Sequence, residues 1–524
     1  MDPRKQLSAD GLIGIIRHEY GKIPDHRKDP ERADIRMLDA AMSGYATFSL
    51  KCPSLLNFQD RILSVEEGEN IKSLYGIETV SSDTRMRELL DPVDPKYIAS
   101  PFNKIFAAAQ RGKVLEPYLW KVNNSYLAPM DGTGYFSSTK VKCDSCLVKE
   151  YLPEEAKKIK KEITDEFKKE MEDELKSKDK TKKNEAKIKL EIRIEEELNK
   201  RLEEMDIEKE KTYHHQLLGL ALVYPGNNVV IPFCPEPIIN SDGSTKNDCE
   251  INAGKRLLAR TRREHPHLRM TITGDDLYSR GPFIKLLGKD QHDMDYILVA
   301  KESSHPYLFD YVASLEKIPV FEREGLSTVH NLEIVESKGE KVIKKITHTF
   351  RYVNKVPLND ENSDLLVNFL EYWETEEYTD KKGIFHESVK FHSSWVTCIE
   401  ITNDNVYLIM RGARARWNIE NCVFNTLKNQ GYNLEHSYGH GEQNLSTNFA
   451  LMMMLAFLVD QILAACCGLF KKALGKLKTK VRLWEEIRTL LRYFKFDSWE
   501  MLFNKIIYSI QTTAEMSIDK KNSS

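Results

Sequence analysis

Three carboxylates in this sequence stand apart from its other acids by their local context. Asp131 lies in Pro129-Met-Asp-Gly-Thr-Gly134, an apolar stretch that opens into small residues. Asp275 closes Thr271-Ile-Thr-Gly-Asp-Asp-Leu-Tyr278, at the end of a short β-branched run, and Glu420 lies in Arg414-Ala-Arg-Trp-Asn-Ile-Glu-Asn421. Two acids at strand ends and one on a helix are a set that could converge on a pair of divalent cations. Carboxylate oxygens are hard donors, suited to Mg2+ or Mn2+. Two such ions about 3.5–4 Å apart would activate an attacking oxygen and stabilise a leaving one. Spacing alone is weak support, because the chain carries 80 Asp and Glu residues. Taken singly, each acid reads as readily as a cap or a surface carboxylate.

The segment around Glu420 says more. Arg416 precedes it by four residues and Lys428 follows by eight, so the three are expected near one helical face. There the cations would hold a DNA phosphate backbone while the acid holds the metal. The bland alternative is an Arg–Glu salt bridge at i,i+4 on a solvated helix. Asn421, Phe424 and Asn425 make the segment look less like an ordinary charged surface.

These acids need an α/β frame. Tyr126 to Phe136 reads as a strand, as do Met270 to Thr273 and Tyr296 to Ala300. His215 to Tyr224 and Val229 to Phe233 flank a Pro-Gly-Asn turn and read as a hairpin, and Cys249 to Arg263 has helical spacing. Before this region, Leu12 to Tyr20, Met37 to Leu50 and a stretch capped by Asp83 through Leu90 read as short helices. Arg17, Lys22, Arg27, Lys28 and Arg32 make that segment basic, as a small DNA-binding domain or an ordinary solvated face would be. Residues 150–211 are dominated by Glu and Lys. Apolar stripes run through Ile159, Ile163, Phe167, Met171 and Leu175, then through Leu190, Ile194, Leu198 and Leu202, with a polar break at Lys178 to Asn184. That pattern predicts an inserted helical hairpin. Residues 305–410 are β-rich, with Ile346 to Val353 and Ser394 to Ile401 as strands, and helix returns at Arg414 to Lys428.

A chain of 524 residues, 41% hydrophobic and 30% charged, calls for two or three domains. The predicted division is a helical DNA-binding domain at 1–115, a core from 116–304 and 411–470, the insertions at 150–211 and 305–410, and a basic helical tail at 471–524. Phe449 to Phe470 is apolar enough to suggest a membrane span. Asp460 and Gln461 near its middle argue for a buried core helix and against a membrane. No secretory signal is visible at the start, and nine scattered cysteines suit a reducing cytoplasm. Cys143-x-x-Cys146 is the one close pair with metal-ligand spacing; no second pair follows at zinc-finger distance, so a zinc site would need distant residues, and unliganded thiols are the alternative. The net charge of −3 does not advertise nucleic-acid binding, although a basic groove can coexist with acidic segments.

The sequence resembles the DDE-type transposases of bacterial insertion sequences whose catalytic core carries a β-strand insertion. The likeness runs through Ile23-Pro-Asp-His-Arg27, Phe48-Ser-Leu-Lys-Cys-Pro-Ser-Leu-Leu56 and Ser82-Asp-Thr-Arg-Met-Arg87 near the start. It continues through Asp131-Gly-Thr-Gly134, Lys246-Asn-Asp-Cys-Glu250 and Gly274-Asp-Asp-Leu-Tyr278. It is densest from Ala415-Arg-Trp-Asn-Ile-Glu-Asn421 through Phe424-Asn-Thr-Leu-Lys428 to Tyr432-Asn-Leu-Glu-His-Ser-Tyr-Gly-His-Gly441. The resemblance implies an RNase H-like mixed sheet, with the β-rich segment inserted before the third acid. Asp131, Asp275 and Glu420 would be the catalytic, metal-binding triad, with Asp275 preferred to Asp276 because it stands three residues before Tyr278. It also implies two Mg2+ or Mn2+ ions, double-stranded DNA (element ends and target) as partner, and a homodimer on that DNA within the bacterial cytoplasm. Such an enzyme would cleave the element end with water and use the freed 3′-hydroxyl for strand transfer. Where related enzymes pass through a DNA hairpin, an aromatic residue stacks on an unpaired base, and Trp395 or Trp417 could serve. Two positions depart from the family pattern: Ala413 stands where a tyrosine is expected, and the expected lysine falls one position late, at Lys428. The rival readings are a catalytically silent, transposase-derived DNA-binding protein and a standalone nuclease on the same core.

Overall fold

The computed structural model describes residues 5–61, 65–176, 180–243, 245–315, 320–323, 335–337, 340–342, 344–380 and 383–508. It divides into two compact units, one formed by 1–135 with 216–524 and the other by 136–215. The larger is a mixed α/β structure with a large mixed sheet and many helices.

Within the larger unit, the strand Ser125–Ser138 lies between residues 216–222 of the Glu210–Leu222 strand and the strand Met270–Gly274. Asp295–Val299 follows on the far side of Met270–Gly274, and both of these pairings with Met270–Gly274 are parallel. Two short pieces, Ile231–Pro232 and Glu236–Ile238, pair antiparallel with the outer side of the 216–222 segment. The expected turn between His215–Tyr224 and Val229–Phe233 is present, with Gly226 at φ 84, a value that glycine adopts without steric cost. In strand order the core therefore reads third, second, first, fourth, fifth.

The β-rich segment extends this sheet. Phe385–Thr397 pairs antiparallel with Asp295–Val299, setting Trp395 opposite Val299, and Leu366–Thr379, Lys345–Pro357 and Val320–Arg323 continue outward. Aromatic and β-branched residues alternate along these strands, the pattern that packs a pleated face. Parts of 316–343 lie outside the described residues.

Helices cover the remaining apolar surface. Ala9–Tyr20, Met37–Ser49 and Asp83–Leu90 fall close to their predicted spans. The N-cap of the third is Ser82 and not Asp83: Ser82 has extended backbone and its hydroxyl accepts from Arg85 N at 3.3 Å. Asp83 is the first helical residue, where its charge favours the positive helix end. These helices do not stand apart from the core. Met37–Ser49 and Pro95–Arg111 both pack on Leu445–Cys466, which is buried from Asn448 to Leu463, as a core helix should be. Gly468–Leu477, Lys480–Tyr493 and Trp499–Ile507 form the C-terminal helices.

Asp460 is accommodated inside this apolar helix by a specific partner. Its carboxylate lies 2.7 Å from Lys51 Nζ, both side chains being almost fully buried. The Tyr432 hydroxyl donates to the same carboxylate. The Lys51 ammonium also lies over the rings of Tyr432 and Trp484, at 4.1 and 4.0 Å. Burial lowers the Lys51 pKa to about 8, with Asp460 opposing the shift.

The 136–215 unit contains the charged hairpin. Glu154–Glu170, Glu172–Leu175 and Lys180–Glu204 are its helices, and the two predicted stripes close into one small core built on Ile163, Met171, Leu190, Ile194, Leu198 and Leu202. The predicted break at Lys178 to Asn184 lies partly outside the described residues, and the second helix already begins at Lys180. Leu147–Tyr151 pairs antiparallel with Glu210–His214 at the ends of the hairpin.

Candidate active site

The first two acids are set by strand register. Tyr126 to Pro129 pair in parallel with Met270 to Thr273, residue for residue. Asp131 and Asp275 each follow their last paired residue by two positions; Asp131 lies within its strand, whereas Asp275 falls just past the end of Met270–Gly274.

Asp131 is joined to the third acid by Arg416. One guanidinium nitrogen, Nη1, donates to Asp131 Oδ2 at 3.0 Å and to Glu420 Oε1 at 2.9 Å. The Arg416 side chain is largely buried and Asp131 is mostly so, whereas Glu420 is about half exposed, at 15%, 20% and 48%. The surface salt bridge considered from sequence is thus real in part, but its arginine is shared with the first acid. Desolvation lifts the Asp131 pKa to about 7; Arg416 opposes it and a hydrogen bond with Glu420 adds to it. Gly132 N donates to Asp131 Oδ1 at 2.8 Å.

Asp275 Oδ1 accepts from Leu277 N at 2.9 Å. Asp276 is committed elsewhere: it accepts from Ser304 Oγ at 2.6 and 2.7 Å and from Lys301 N at 2.9 Å, fastening a neighbouring turn. Tyr278 is buried, and its hydroxyl donates to Glu250 Oε1 at 2.8 Å. Burial raises the Tyr278 pKa far above its ordinary value, and the charges of Glu250, Asp275 and Asp131 add to that rise. Glu250 is therefore a fourth carboxylate beside the triad. A Cβ built on Gly132 would lie 3.2 Å from Glu250 Oε2, so the Glu250 carboxylate packs close against the backbone next to Asp131. The sequence marked Lys246-Asn-Asp-Cys-Glu250 as notable without giving it a role.

The third acid does not sit on a plain α-helix. Val406–Arg414 is α-helical, Ile419–Phe424 is a π-helix containing Glu420, and Asn425–Asn429 is α-helical again. Single π turns of this kind are frequent at functional sites. The turn also changes where Lys428 falls. In an unbroken α-helix a residue eight positions on is rotated by about 80°. An i→i+5 turn absorbs one residue and brings it back to within roughly 20° of Glu420. Lys428 pairs with Glu435 at 2.7 Å. The π-helix packs through Ile419 and Phe424 on Gly219, where a Cβ would approach Phe424 Cζ to 2.9 Å.

The two tryptophans differ in availability. Trp395 is 3% exposed within the sheet, packed near Tyr372 and Phe391, and could stack on a base only if the sheet opened. Trp417, one residue after Arg416, is 53% exposed and touches Phe391 edge to face. Two further segments that the sequence singled out meet one another. Arg87 Nε donates to Tyr438 O at 3.1 Å, and the Asp91 carboxylate accepts from the backbone N–H groups of Glu442, Gln443, Asn444 and Leu445.

No family model matches this chain, and no curated protein matches it. Among solved structures, a piggyBac transposase synaptic complex with hairpin DNA, determined by cryo-electron microscopy, aligns over 94% of this chain and 80% of that one. The identity is 10% and the TM-score 0.36. At that level the likeness does not establish a shared fold, and the functional reading rests on the residues of the site.

Proposed function

We propose that this chain is a DDE-type transposase that uses divalent metal ions to cleave DNA at the ends of a transposable element and to join them to target DNA. The observation that carries the reading is the Arg416 bridge from Asp131 to Glu420, with Asp275 following the strand that pairs in parallel with the Asp131 strand. The strand order third–second–first–fourth–fifth, with the first, fourth and fifth parallel, supports an RNase H-like core, and the β-rich segment enters between the fifth strand and the third acid.

The donor set fits Mg2+ or Mn2+. Asp131 and Glu420 are held so close that one arginine serves as counter-charge to both, and burial makes the ionised Asp131 costly in the absence of a cation. Asp131, Asp275 and Glu420 would hold the ions, which when bound would supply Lewis-acid stabilisation of the attacking and leaving oxygens. Arg416 keeps the Asp131 and Glu420 oxygens oriented and, once they are neutralised, is free to meet a phosphate oxygen. Tyr278 and Glu250 fix the floor beside Asp131. Lys428, returned to the Glu420 face, would pair with the DNA backbone, and Trp417 offers an exposed ring for an unpaired base.

The test uses the full chain with Mg2+ and labelled DNA carrying the element ends. Nicking at the end followed by strand transfer supports the proposal, and Asp275→Asn should abolish nicking while DNA binding survives. Full cleavage by that variant refutes the triad. Cutting without regard to ends would indicate a standalone nuclease, and binding without cutting a silent, transposase-derived binder.

A further inference from the structure

A second cluster of metal-ligating side chains, distinct from the carboxylates, lies inside the 136–215 unit. Cys143 and Cys146 flank a tight turn, in which Cys146 N bonds to Cys143 O at 3.2 Å and Cys143 N points to Cys146 Sγ at 3.4 Å. The antiparallel register that begins at Leu147 opposite His214 brings the residue before Leu147 level with the residue after His214. Cys146 therefore meets His215 across the strand pair, although 69 positions separate them.

The three donor atoms have a distinctive spacing. Cys143 Sγ and Cys146 Sγ are 3.7 Å apart, and each lies 3.4 Å from His215 Nε2. A tetrahedral zinc ion, with Zn–S of about 2.3 Å and Zn–N of about 2.0–2.1 Å, sets S···S at about 3.8 Å and S···N at about 3.6 Å. The observed triangle matches the face of such a tetrahedron. It does not match a disulfide, whose sulfurs stand at about 2.05 Å. Cys146 and His215 are 1% and 4% exposed, so both donors are held in a dry place.

We propose that Cys143, Cys146 and His215 bind a zinc ion that staples together the two strands from which the charged hairpin springs. The fourth position of the ion takes water or a further nitrogen or sulfur donor. Binding requires both thiols to lose their protons and the imidazole to be neutral at Nε2, so zinc uptake releases protons to solvent. The hairpin core consists of one thin stripe per helix and is small, and a site joining positions 69 residues apart adds the cross-link that such a unit lacks. This role is independent of the carboxylate chemistry.

The full-length protein, purified without chelator, should contain about one zinc per chain by elemental analysis. Replacing the zinc with Co2+ should give thiolate-to-cobalt charge transfer and the strong visible bands of tetrahedral cobalt. Cys143→Ser, Cys146→Ser and His215→Ala should each lower zinc affinity roughly tenfold or more. Cys466→Ser, at an exposed cysteine elsewhere, should leave zinc content unchanged. The cobalt spectrum of the unmutated chain decides the matter even if a variant fails to fold. The proposal is overturned by a zinc-free chain that gives no tetrahedral cobalt spectrum, by a Cys143–Cys146 disulfide in the mass spectrum, or by folded cysteine variants that retain zinc.

Discussion

Replacing Asp460 by Leu should expose how strongly the buried Lys51 depends on its partner. The Lys51 side chain is 1% exposed and Asp460 5%, so neither charge is compensated by water. Without the carboxylate, Lys51 keeps the Ser49 carbonyl oxygen at 3.0 Å and the faces of Tyr432 and Trp484, at 4.1 and 4.0 Å. Breaking a buried pair on one side costs about 3–5 kcal/mol. The lysine's share of the loss has a ceiling, because Lys51 can shed its proton: with its folded pKa already at about 8, neutralising it at pH 7 costs about 1.4 kcal/mol. Leaving the buried Tyr432 hydroxyl without its acceptor adds about 1–3 kcal/mol, so the expected destabilisation is about 2.5–4.5 kcal/mol at pH 7. The folded Lys51 pKa in the unmutated chain, about 8, lies below the unfolded value. The unfolded chain thus binds more protons between those values, and stability rises with pH there. In Asp460→Leu the folded value drops further, so the rise begins at lower pH. The deficit should shrink by at most about 1.4 kcal/mol between pH 7 and pH 8, and then level off. Urea denaturation followed by tryptophan fluorescence at both pH values measures this, and Lys51→Met added to Asp460→Leu should recover the lysine's share of the loss. A single variant within 1 kcal/mol of the parent, or a double variant as unstable as the single one, would refute the reasoning.

Other expectations follow from the site. In chelator, Asp131 carries a folded pKa of about 7, above its unfolded value, so the folded chain binds the extra proton between about pH 4 and pH 7. Stability should therefore fall as pH rises through that window, and Asp131→Asn should flatten that pH dependence; the same pH 5 to pH 8 change in urea-derived stability for the parent and Asp131→Asn would contradict the burial of this group. Gly219→Val would drive a side chain into Phe424 and displace the π-helix, costing about 1–3 kcal/mol by thermal melting and lowering end cleavage more than DNA binding. Asp91→Ala removes an acceptor shared by four backbone N–H groups ahead of the Leu445–Cys466 helix, a loss of about 1–2 kcal/mol that calorimetry would detect.

Much of the frame was legible locally. Periodicity placed the Ala9–Tyr20 and Met37–Ser49 helices, the Met270–Gly274 and Asp295–Val299 strands and both stripes of the charged hairpin, because a repeat of two or of 3.6 is written in neighbouring residues. Asp460 inside an apolar run was enough to favour a core helix over a membrane span, and a buried core helix is what the structure shows. Composition and spacing could not single out three acids among 80, and there the resemblance supplied the choice.

Tertiary structure decided what depends on pairing between distant segments. Strand register sets the Asp131 strand beside the one that ends just before Asp275 and brings Cys146 opposite His215, and no local pattern encodes register. Which carboxylate of the Asp275–Asp276 pair is committed to a neighbouring turn depended on Lys301 and Ser304, distant in sequence. The π turn that holds Glu420 lies where the helix meets Gly219, so helical arithmetic on the sequence alone could not fix the angle between Glu420 and Lys428. The sequence determined which residues could carry charge, metal or phosphate; only packing decided which of them face one another, because desolvation and close approach are properties of the folded neighbourhood and not of the residue.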